Sequence, residues 1–299
     1  MRVGEVAVVG RPNAGKSTLV NALVGEKVAI VSDKPQTTRR RILGVARRPG
    51  LEIALVDTPG IHRPQFRMNT AMVREATDAL STADAVLFVI DAADDRGAGD
   101  AHIGELALRA GVPVVLAVNK IDLLKKERLL PMLAALSAEG PYQKFADLVP
   151  VSARTGENVD RLFEVLAKDL PEGKAAYPDD FLTSTPETEW IGEVIREKLL
   201  ERTRDELPFA HAVVIESVRP GAGKDITVVT ASIVVEREGQ KGIIVGKGGS
   251  MIRDIGKAAR EELEAELGRK FYLELTVTVQ PDWRNDDRFL SRLRGGETR

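Results

Sequence analysis

Residues 10–17 have the composition and spacing of a phosphate-binding loop. They read GRPNAGKS, so two glycines, a lysine and a serine stand at the spacing G-x-x-x-x-G-K-S. Glycines let backbone N–H groups turn toward phosphate oxygens, the lysine reaches the β- and γ-phosphates, and the serine hydroxyl binds Mg²⁺. The residues expected to contact nucleotide are Gly10, Arg11, Pro12, Asn13, Ala14, Gly15, Lys16, Ser17 and Thr18.

A second motif, Asp57-Thr58-Pro59-Gly60, follows at the end of an apolar run. A carboxylate at this place can hold Mg²⁺ through water, and the N–H of the glycine can sense a γ-phosphate. We therefore predict that Asp57 joins Ser17 at the metal and that Gly60 contacts the terminal phosphate.

A third group of residues is suited to selecting guanine. Asn119, Lys120 and Asp122 form an N-K-x-D motif at the end of another apolar run. The Asp122 carboxylate can accept hydrogen bonds from N1–H and N2–H₂ of guanine, a donor pair that adenine lacks. We expect Asn119 to brace the loop and Lys120 to pack along the base. A backbone N–H of Ser152 or Ala153 would reach guanine O6.

The elements that position these motifs alternate between strand and helix. Apolar runs predict strands at residues 5–10, 52–57, 85–91, 112–119 and 147–152. Helical patterns lie between or after them at residues 16–24, 69–82, 102–110 and 158–170. Runs that are apolar on both faces require a parallel sheet covered by helices. The predicted fold of residues 1–172 is therefore an α/β, doubly wound, mostly parallel sheet.

These motifs, in this order, resemble the translation-factor-related class of P-loop GTPases. The resemblance places a first switch at residues 36–39 (QTTR), where either Thr37 or Thr38 would close over Mg²⁺ and the γ-phosphate; we include Thr38 among the metal ligands. The sequence leaves the choice between the two threonines open.

The resemblance also bears on catalysis. Ile61 stands where Ras-type enzymes carry a water-orienting glutamine, so hydrolysis should be slow without a partner or a monovalent cation. Asn13 matches a position that holds K⁺ in cation-dependent relatives, although it could instead satisfy loop backbone. The residues assigned to catalysis are Lys16, Thr38, Gly60 and Asn13. His62 is expected to be an exposed loop residue.

The last third of the chain predicts a separate α+β domain. Residues 173–186 carry two prolines and little apolar periodicity, which indicates a linker. Residues 187–299 then predict a helix (187–207), two strands (210–218 and 225–237), a second helix (254–267) and a strand (271–280).

A G-x-x-G motif within this domain predicts a site for single-stranded RNA. Residues 246–249 read GKGG between an apolar stretch and a helix, and the order of elements resembles a type II KH domain. Such loops clamp nucleotide backbones. Residues 241–260 carry five cationic side chains and one acidic one, so the local charge is positive. The predicted RNA-binding residues are Gly246, Lys247, Gly248, Gly249, Arg253 and Lys257.

The composition is that of a soluble, two-domain protein. The 299 residues carry a net charge of −2 and no cysteine, which excludes disulfides and fits a reducing compartment. No apolar run is long enough to span a bilayer, and the first motif comes too early for a signal peptide. We therefore expect a cytoplasmic location.

The whole chain resembles the Era family of bacterial ribosome-assembly GTPases. The resemblance implies GTP/GDP and Mg²⁺ as ligands, a monomer, and binding of the 3′ end of small-subunit ribosomal RNA during 30S assembly. It also implies peripheral membrane contact, for which residues 286–294 could form a short amphipathic helix, although packing on the KH domain is the alternative. Two other functions stay open: a passive RNA-binding protein with a structural nucleotide site, and a GTPase that regulates a protein or membrane partner.

Overall fold

The protein is represented by a computed structural model that describes residues 1–61, 65–94, 97–138, 140–205, 207–221 and 226–293. The chain divides into two compact units. The first comprises Met1–Pro64 and Asn69–Ser184, and the second comprises Gln65–Met68 and Thr185–Arg299. His62, which the sequence predicts to be exposed, lies outside the described residues.

The first unit is built on a six-stranded sheet. Its strands are β1 (Arg2–Gly10), β2 (Ile42–Arg48), β3 (Leu51–Asp57), β4 (Ala85–Asp91), β5 (Val114–Asn119) and β6 (Asp147–Pro150). Their order is β2-β3-β1-β4-β5-β6, and every pair is parallel except β2 with β3. The predicted doubly wound, mostly parallel sheet is confirmed.

Helices cover both faces of this sheet. They are α1 (Lys16–Val24), α2 (Arg67–Thr82), α3 (Ala98–Leu108), α4 (Lys126–Ala138) and α5 (Val159–Lys168). Consecutive residues of β1 alternate between the two cores: Val6 and Val8 pack with α1 and α5, whereas Ala7 and Val9 pack with residues of α2 and α3. Burial on both faces is what the continuous apolar runs indicate.

The sheet brings the predicted motifs to one edge. Strands β1, β3 and β5 end at Gly10, Asp57 and Asn119, and β6 ends two residues before Ser152. Because these strands are parallel, their carboxyl ends lie at the same edge, where ligands bind in open α/β sheets. Chain segments far apart in sequence thereby form one site.

Most of the predicted linker is attached to the first unit, which extends to Ser184. The Val45 N–H donates to the Leu182 carbonyl (2.8 Å), and Gly44 and Thr183 form an isolated antiparallel bridge, so part of this segment is held against the edge strand β2 through its backbone. Extended chain at a sheet edge is held through its backbone, and that is why residues 173–186 show little side-chain periodicity.

The second unit packs helices on a three-stranded sheet. Its elements are α6 (Glu187–Arg202), β7 (His211–Pro220), β8 (Ile226–Val235), α7 (Glu238–Val245), α8 (Ser250–Leu267), β9 (Lys270–Val279) and α9 (Asp287–Leu293). The strand order is β7-β8-β9, with β7 antiparallel and β9 parallel to β8. In α9, Phe289 and Leu290 are buried, and Phe289 stacks edge-on with Trp283, so this short helix packs on its own unit.

Candidate functional sites

The loop between β1 and α1 has the backbone that phosphate binding requires. Gly15 has a φ of +88° and immediately precedes the first residue of α1, Lys16. A Cβ at Gly15 would come within 2.3 Å of Asn119 Nδ2, so no other residue fits there. The loop therefore ends at a helix N-terminus, where backbone N–H groups and the helix dipole favour an anion.

Lys16 lies inside this loop. Its side chain is almost fully buried, and Nζ donates to the carbonyls of Gly10 (3.3 Å) and Arg11 (3.1 Å). Burial lowers the pKa of Lys16 to about 8, and the Asp57 carboxylate opposes that shift. The loop thus holds a desolvated ammonium whose charge a phosphate group would stabilise.

Ser17, Thr38 and Asp57 converge to form the expected metal ligand set. Ser17 Oγ lies 2.7 Å from Thr38 Oγ1 and donates to Asp57 Oδ2 at 2.6 Å, and Thr38 Oγ1 lies 3.2 Å from the same oxygen. The other carboxylate oxygen, Asp57 Oδ1, is buried and makes no hydrogen bond of ordinary length. Two hydroxyls and a carboxylate oxygen are ligands that suit Mg²⁺, so the residues fit this ion.

Burial also affects the ionisation of Asp57. Burial raises the pKa of Asp57, and the nearby Lys16 ammonium opposes that shift. A bound cation would favour the ionised carboxylate. Of the two switch threonines, only Thr38 reaches this cluster, because Thr37 Oγ1 donates instead to the Lys34 carbonyl (2.7 Å).

The D-x-x-G segment lies directly against the phosphate loop. A Cβ at Gly60 would lie 2.7 Å from the backbone nitrogen of Pro12, so only glycine allows this approach. The next N–H, from Ile61, donates to the Gly10 carbonyl (3.3 Å), while the Ile61 side chain is buried in the core beneath α2. Thr58 is fixed through its hydroxyl, which donates to the Val8 carbonyl (2.7 Å).

The side chains of Arg11 and Asn13 point away from the loop backbone. The Arg11 side chain pairs with Asp94 (3.1 Å) and Asp100 (3.2 Å), so only the backbone of Arg11 contributes to the phosphate-binding loop. Asn13 Nδ2 donates to the Asp33 carbonyl at 2.8 Å, in the segment that precedes Thr38. Asn13 therefore bridges two loops beside the phosphate position.

The base-recognition residues also assemble at this edge. Asn119 Oδ1 accepts from the Ala153 N–H (3.0 Å). Lys120 has a φ of +66°, and its Nζ donates to Asp91 Oδ2 (2.6 Å). Asp122 accepts from Ser152 Oγ (2.5 Å) and from the Arg154 guanidinium. The Ser152 hydroxyl, followed by Arg154, holds the pKa of Asp122 below its usual range, so this carboxylate is ionised at neutral pH.

Two residues of this site were not predicted from the sequence. Asp91 is the last residue of β4 and anchors Lys120, and its position at a strand end is the signal that could have identified it. Arg154 follows Ser152 and Ala153 in an exposed turn, and an arginine in such a turn carries no distinctive pattern.

In the second unit, the G-x-x-G segment forms a tight turn between α7 and α8. Gly246, Gly248 and Gly249 have φ values of +70°, +59° and +78°. A Cβ at Gly246 would lie 2.9 Å from the Met251 nitrogen, whereas one at Gly248 would meet nothing within 4 Å. Gly248 therefore lies at the open tip of the turn, where a nucleotide backbone can approach.

Cationic side chains lie at this turn and along the helix that follows it. Lys247, Arg253, Lys257 and Arg260 are exposed, and the last three lie on one face of α8. Ile243, on α7, is 53% exposed and was not predicted; it adds an apolar surface on which a base could pack. The combination suits a flexible strand that carries phosphates and unpaired bases.

Among the described residues, no helix has both the length and the apolar character needed to cross a membrane. The implied membrane contact through residues 286–294 receives no support from α9, in which Phe289 and Leu290 are buried.

Comparison with known proteins gives matches to both units. A family described as "50S ribosome-binding GTPase" matches residues 5–120, and the KH domain family matches residues 206–284. The curated GTPase Era of Geobacter metallireducens (strain ATCC 53774 / DSM 7210 / GS-15) is 46% identical over 292 residues, which cover 98% of this chain and 97% of the relative.

Two solved structures match the full length. A variant of Aquifex aeolicus Era bound to GDP·AlF₄⁻ has a TM-score of 0.94. Era in complex with MgGDPNP and nucleotides 1506–1542 of 16S ribosomal RNA has a TM-score of 0.95. Each is 41% identical to this chain, and each match covers 100% of both chains.

Proposed function

The chain belongs to the Era family of GTPases, and from that premise we propose that its nucleotide state governs the binding of single-stranded ribosomal RNA by the KH domain. The RNA proposed is the 3′ end of 16S ribosomal RNA, and the process is assembly of the 30S subunit. One observation carries this proposal: the relative solved with MgGDPNP and nucleotides 1506–1542 of 16S ribosomal RNA matches this chain from end to end.

Hydrolysis of GTP depends on positioning and on charge neutralisation. Backbone N–H groups of residues 10–17 hold the phosphates, and Lys16 supplies a positive charge to the β- and γ-phosphates. Ser17, Thr38 and Asp57 hold Mg²⁺, which when bound neutralises the charge that develops on those phosphates. Gly60 lies beside Pro12 of the phosphate loop, where its N–H would contact the γ-phosphate.

No glutamine follows Gly60 to orient the attacking water. Ile61 occupies that position and its side chain is buried, so the residue contributes no polar group to the reaction. The unassisted reaction should therefore be slow. Asn13, whose Nδ2 donates to the Asp33 carbonyl, would help to hold K⁺ beside the phosphates through its amide oxygen. A cation there would stabilise charge in the transition state.

The switch acts through loops that respond to the γ-phosphate. Thr38 and Gly60 lie on separate segments, and both approach the phosphate loop, one at Ser17 and the other at Pro12. GTP orders these segments and hydrolysis releases them, as in other P-loop GTPases. The cationic face of α8 and the turn at Gly248 then bind RNA in one nucleotide state in preference to the other.

The expected location and partners follow from the same proposal. The protein works in the cytoplasm as a monomer, with the 30S subunit as its partner. Peripheral membrane association stays a prediction; flotation with liposomes would test it, and a protein that remains entirely in the lipid-free fraction would contradict it.

Crosslinking followed by sequencing of the bound RNA, with GTP and with GDP, tests the RNA proposal. The expected reads come from the 3′ end of 16S ribosomal RNA and change in number between the two nucleotides. Gly248→Asp should lose these reads because it places a negative charge at the open tip of the turn. Gly248→Asn, of the same size but neutral, is the matched control because asparagine tolerates a positive φ.

Two results of that experiment would contradict the proposal. One is a set of reads dominated by large-subunit RNA, a result that would agree with the family description "50S ribosome-binding GTPase". The other is an unchanged set of reads from Gly248→Asp.

A further inference from the structure

The guanine-recognition carboxylate is already engaged by a side chain of the protein. Arg154 Nε donates to Asp122 Oδ2 at 3.1 Å, and Arg154 Nη2 donates to the same oxygen. The Asp122 side chain is 11% exposed, whereas the Arg154 side chain is 71% exposed. The largely exposed side chain of Arg154 therefore covers the Asp122 carboxylate at the surface of the protein.

The hydrogen-bonding capacity of Asp122 is nearly filled. An ionised carboxylate offers about four acceptor positions, two on each oxygen. Arg154 uses two of them on Oδ2, and Ser152 uses one on Oδ1 at 2.5 Å. Guanine presents N1–H and N2–H together and needs an acceptor position on each carboxylate oxygen. Asp122 cannot accept that pair while both bonds from Arg154 are in place.

Arg154 also has the chemistry of the group that it would exclude. The N1–C2–N2 edge of guanine is itself a guanidine fragment, with two N–H donors directed the same way, and the arginine fork presents an equivalent pair. The Ser152 hydroxyl differs, because it comes from a fully buried residue and uses only one position. Arg154 thus offers Asp122 the same kind of donor pair as guanine, although it directs both donors to Oδ2.

We propose that Arg154 is an internal competitor for the guanine base: its bonds to Asp122 and those of guanine exclude each other, so Arg154 must move away before the base binds. This inference rests on the proposed role of Asp122 in guanine recognition. Because Arg154 is exposed, its ion pair with Asp122 is weak. Removing Arg154 should therefore raise the affinity for guanine nucleotides by only about two- to five-fold. The base is common to GDP and GTP, so the affinities of both nucleotides should rise by the same factor.

The competition also predicts which rate constant changes. Arg154 acts before the base is seated, so its loss should raise the association rate constant and leave the dissociation rate constant unchanged. An arginine that assists the bound base would show the opposite pattern, with faster dissociation when it is removed.

The test measures binding of GDP and GTP, with Mg²⁺, to Arg154→Ala by calorimetry and stopped-flow fluorescence. Arg161→Ala is the matched control, because Arg161 is also an exposed arginine of the first unit and pairs with Glu164 at 3.5 Å. It removes the same charge without touching Asp122. Arg154→Lys keeps the charge but cannot donate from a rigid fork, so its affinity should lie between those of the parent protein and Arg154→Ala.

A gain of two- to five-fold for both nucleotides with Arg154→Ala, and none with Arg161→Ala, supports the competition. Unchanged or weaker binding of Arg154→Ala overturns it. Asp122→Ala separates this result from failure of the underlying proposal. If Asp122→Ala weakens GDP binding while Arg154→Ala does not strengthen it, only the competition is wrong. If Asp122→Ala binds GDP as well as the parent protein, the guanine-recognition role is wrong as well.

Discussion

Asn119 Nδ2 donates a hydrogen bond to the carbonyl of Ala14 at 2.9 Å, across 105 residues of sequence. The same side chain accepts from the Ala153 N–H through Oδ1. One buried amide thus connects the phosphate loop, the N-K-x-D motif and the segment after β6. Since both ends of the amide are used, the two halves of the nucleotide site, phosphate and base, are held at a fixed separation.

Asp122→Asn should change the base that the site prefers. An asparagine side chain presents one acceptor, its oxygen, and one donor, its NH₂ group. The N2–H₂ donor of guanine would face this NH₂ group without forming a hydrogen bond, whereas the C2 carbonyl of xanthine would accept a hydrogen bond from it. We expect GDP affinity to fall about 10- to 100-fold and XDP affinity to rise.

Calorimetry with GDP and XDP measures this change. Asp160→Asn is the control, because Asp160 is a highly exposed carboxylate of the same unit. Undiminished GDP affinity in Asp122→Asn would remove the basis for guanine selection.

Nucleotide binding should take up a proton at alkaline pH. Burial lowers the pKa of Lys16 to about 8, so the free protein loses this ammonium as pH rises through 8. Phosphate oxygens favour the charged form and raise the pKa in the complex. GDP affinity should therefore be almost independent of pH near pH 7 and about tenfold weaker at pH 9 than at pH 7.

Calorimetry in buffers of different ionisation heat counts the proton directly. The expected uptake approaches one proton at pH 9 and is close to zero at pH 7. Lys16→Met, which cannot titrate, should bind more weakly and show no such uptake. An absence of uptake at pH 9 in the parent protein would show that Lys16 does not titrate on binding.

Arg47→Met should destabilise the first unit. Glu52 is fully buried; one of its oxygens accepts from Arg47 Nε (3.0 Å) and the other from the Ala176 N–H (2.7 Å). Removing Arg47 leaves a buried carboxylate without its cation, at a cost of about 3–5 kcal/mol. It also removes bonds to the carbonyls of Pro178 and Phe181 that hold the segment after α5.

Urea unfolding of the first unit measures this loss. Arg48→Met is the control, because Arg48 pairs at 3.3 Å with a highly exposed Asp160, and such pairs contribute about 0–1 kcal/mol. Adding Glu52→Gln to Arg47→Met should recover part of the stability. Equal effects of Arg47→Met and Arg48→Met would refute the role given to the buried pair.

GTP turnover should depend on K⁺ through Asn13. Its Nδ2 is bonded to the Asp33 carbonyl (2.8 Å), and a cation would be held by the amide oxygen. We expect turnover about tenfold faster in KCl than in NaCl, and Asn13→Ala should lose most of that difference. The phosphate-release rate in the two salts is the measurement. Equal rates for the parent protein in both salts would show that K⁺ does not stimulate turnover, and the contact with the Asp33 carbonyl would then be the role of Asn13.

The spacing of motifs predicted most of the sheet, and the structure brings the predicted nucleotide-site residues to one edge of that sheet, because each motif follows an apolar strand and begins a turn or helix. The edge strand β2 was missed because its residues, ILGVARR, include a glycine and two arginines and so lack the continuous apolar run of the other strands. Helix α4 contains Pro131, which interrupts the helical hydrogen-bond pattern, and it was also missed.

Contacts that depend on tertiary structure could not be predicted from the sequence. The interaction of Arg47 with residues near 178–181 joins positions more than 130 apart, and the sequence pattern of neither segment specifies the other. The same holds for Arg154, whose contact with Asp122 depends on the close approach of the turns that follow β5 and β6.

The coupling of nucleotide to RNA is tested most directly by fluorescence anisotropy of an RNA that carries the sequence of nucleotides 1506–1542. Its affinity for the full-length protein should be measured with GDPNP and with GDP, at the same salt and Mg²⁺ concentrations. A switch of ordinary strength predicts affinities that differ by about five-fold or more between the two nucleotides. Equal affinities in the two states would contradict the account, because the nucleotide would then not govern RNA binding.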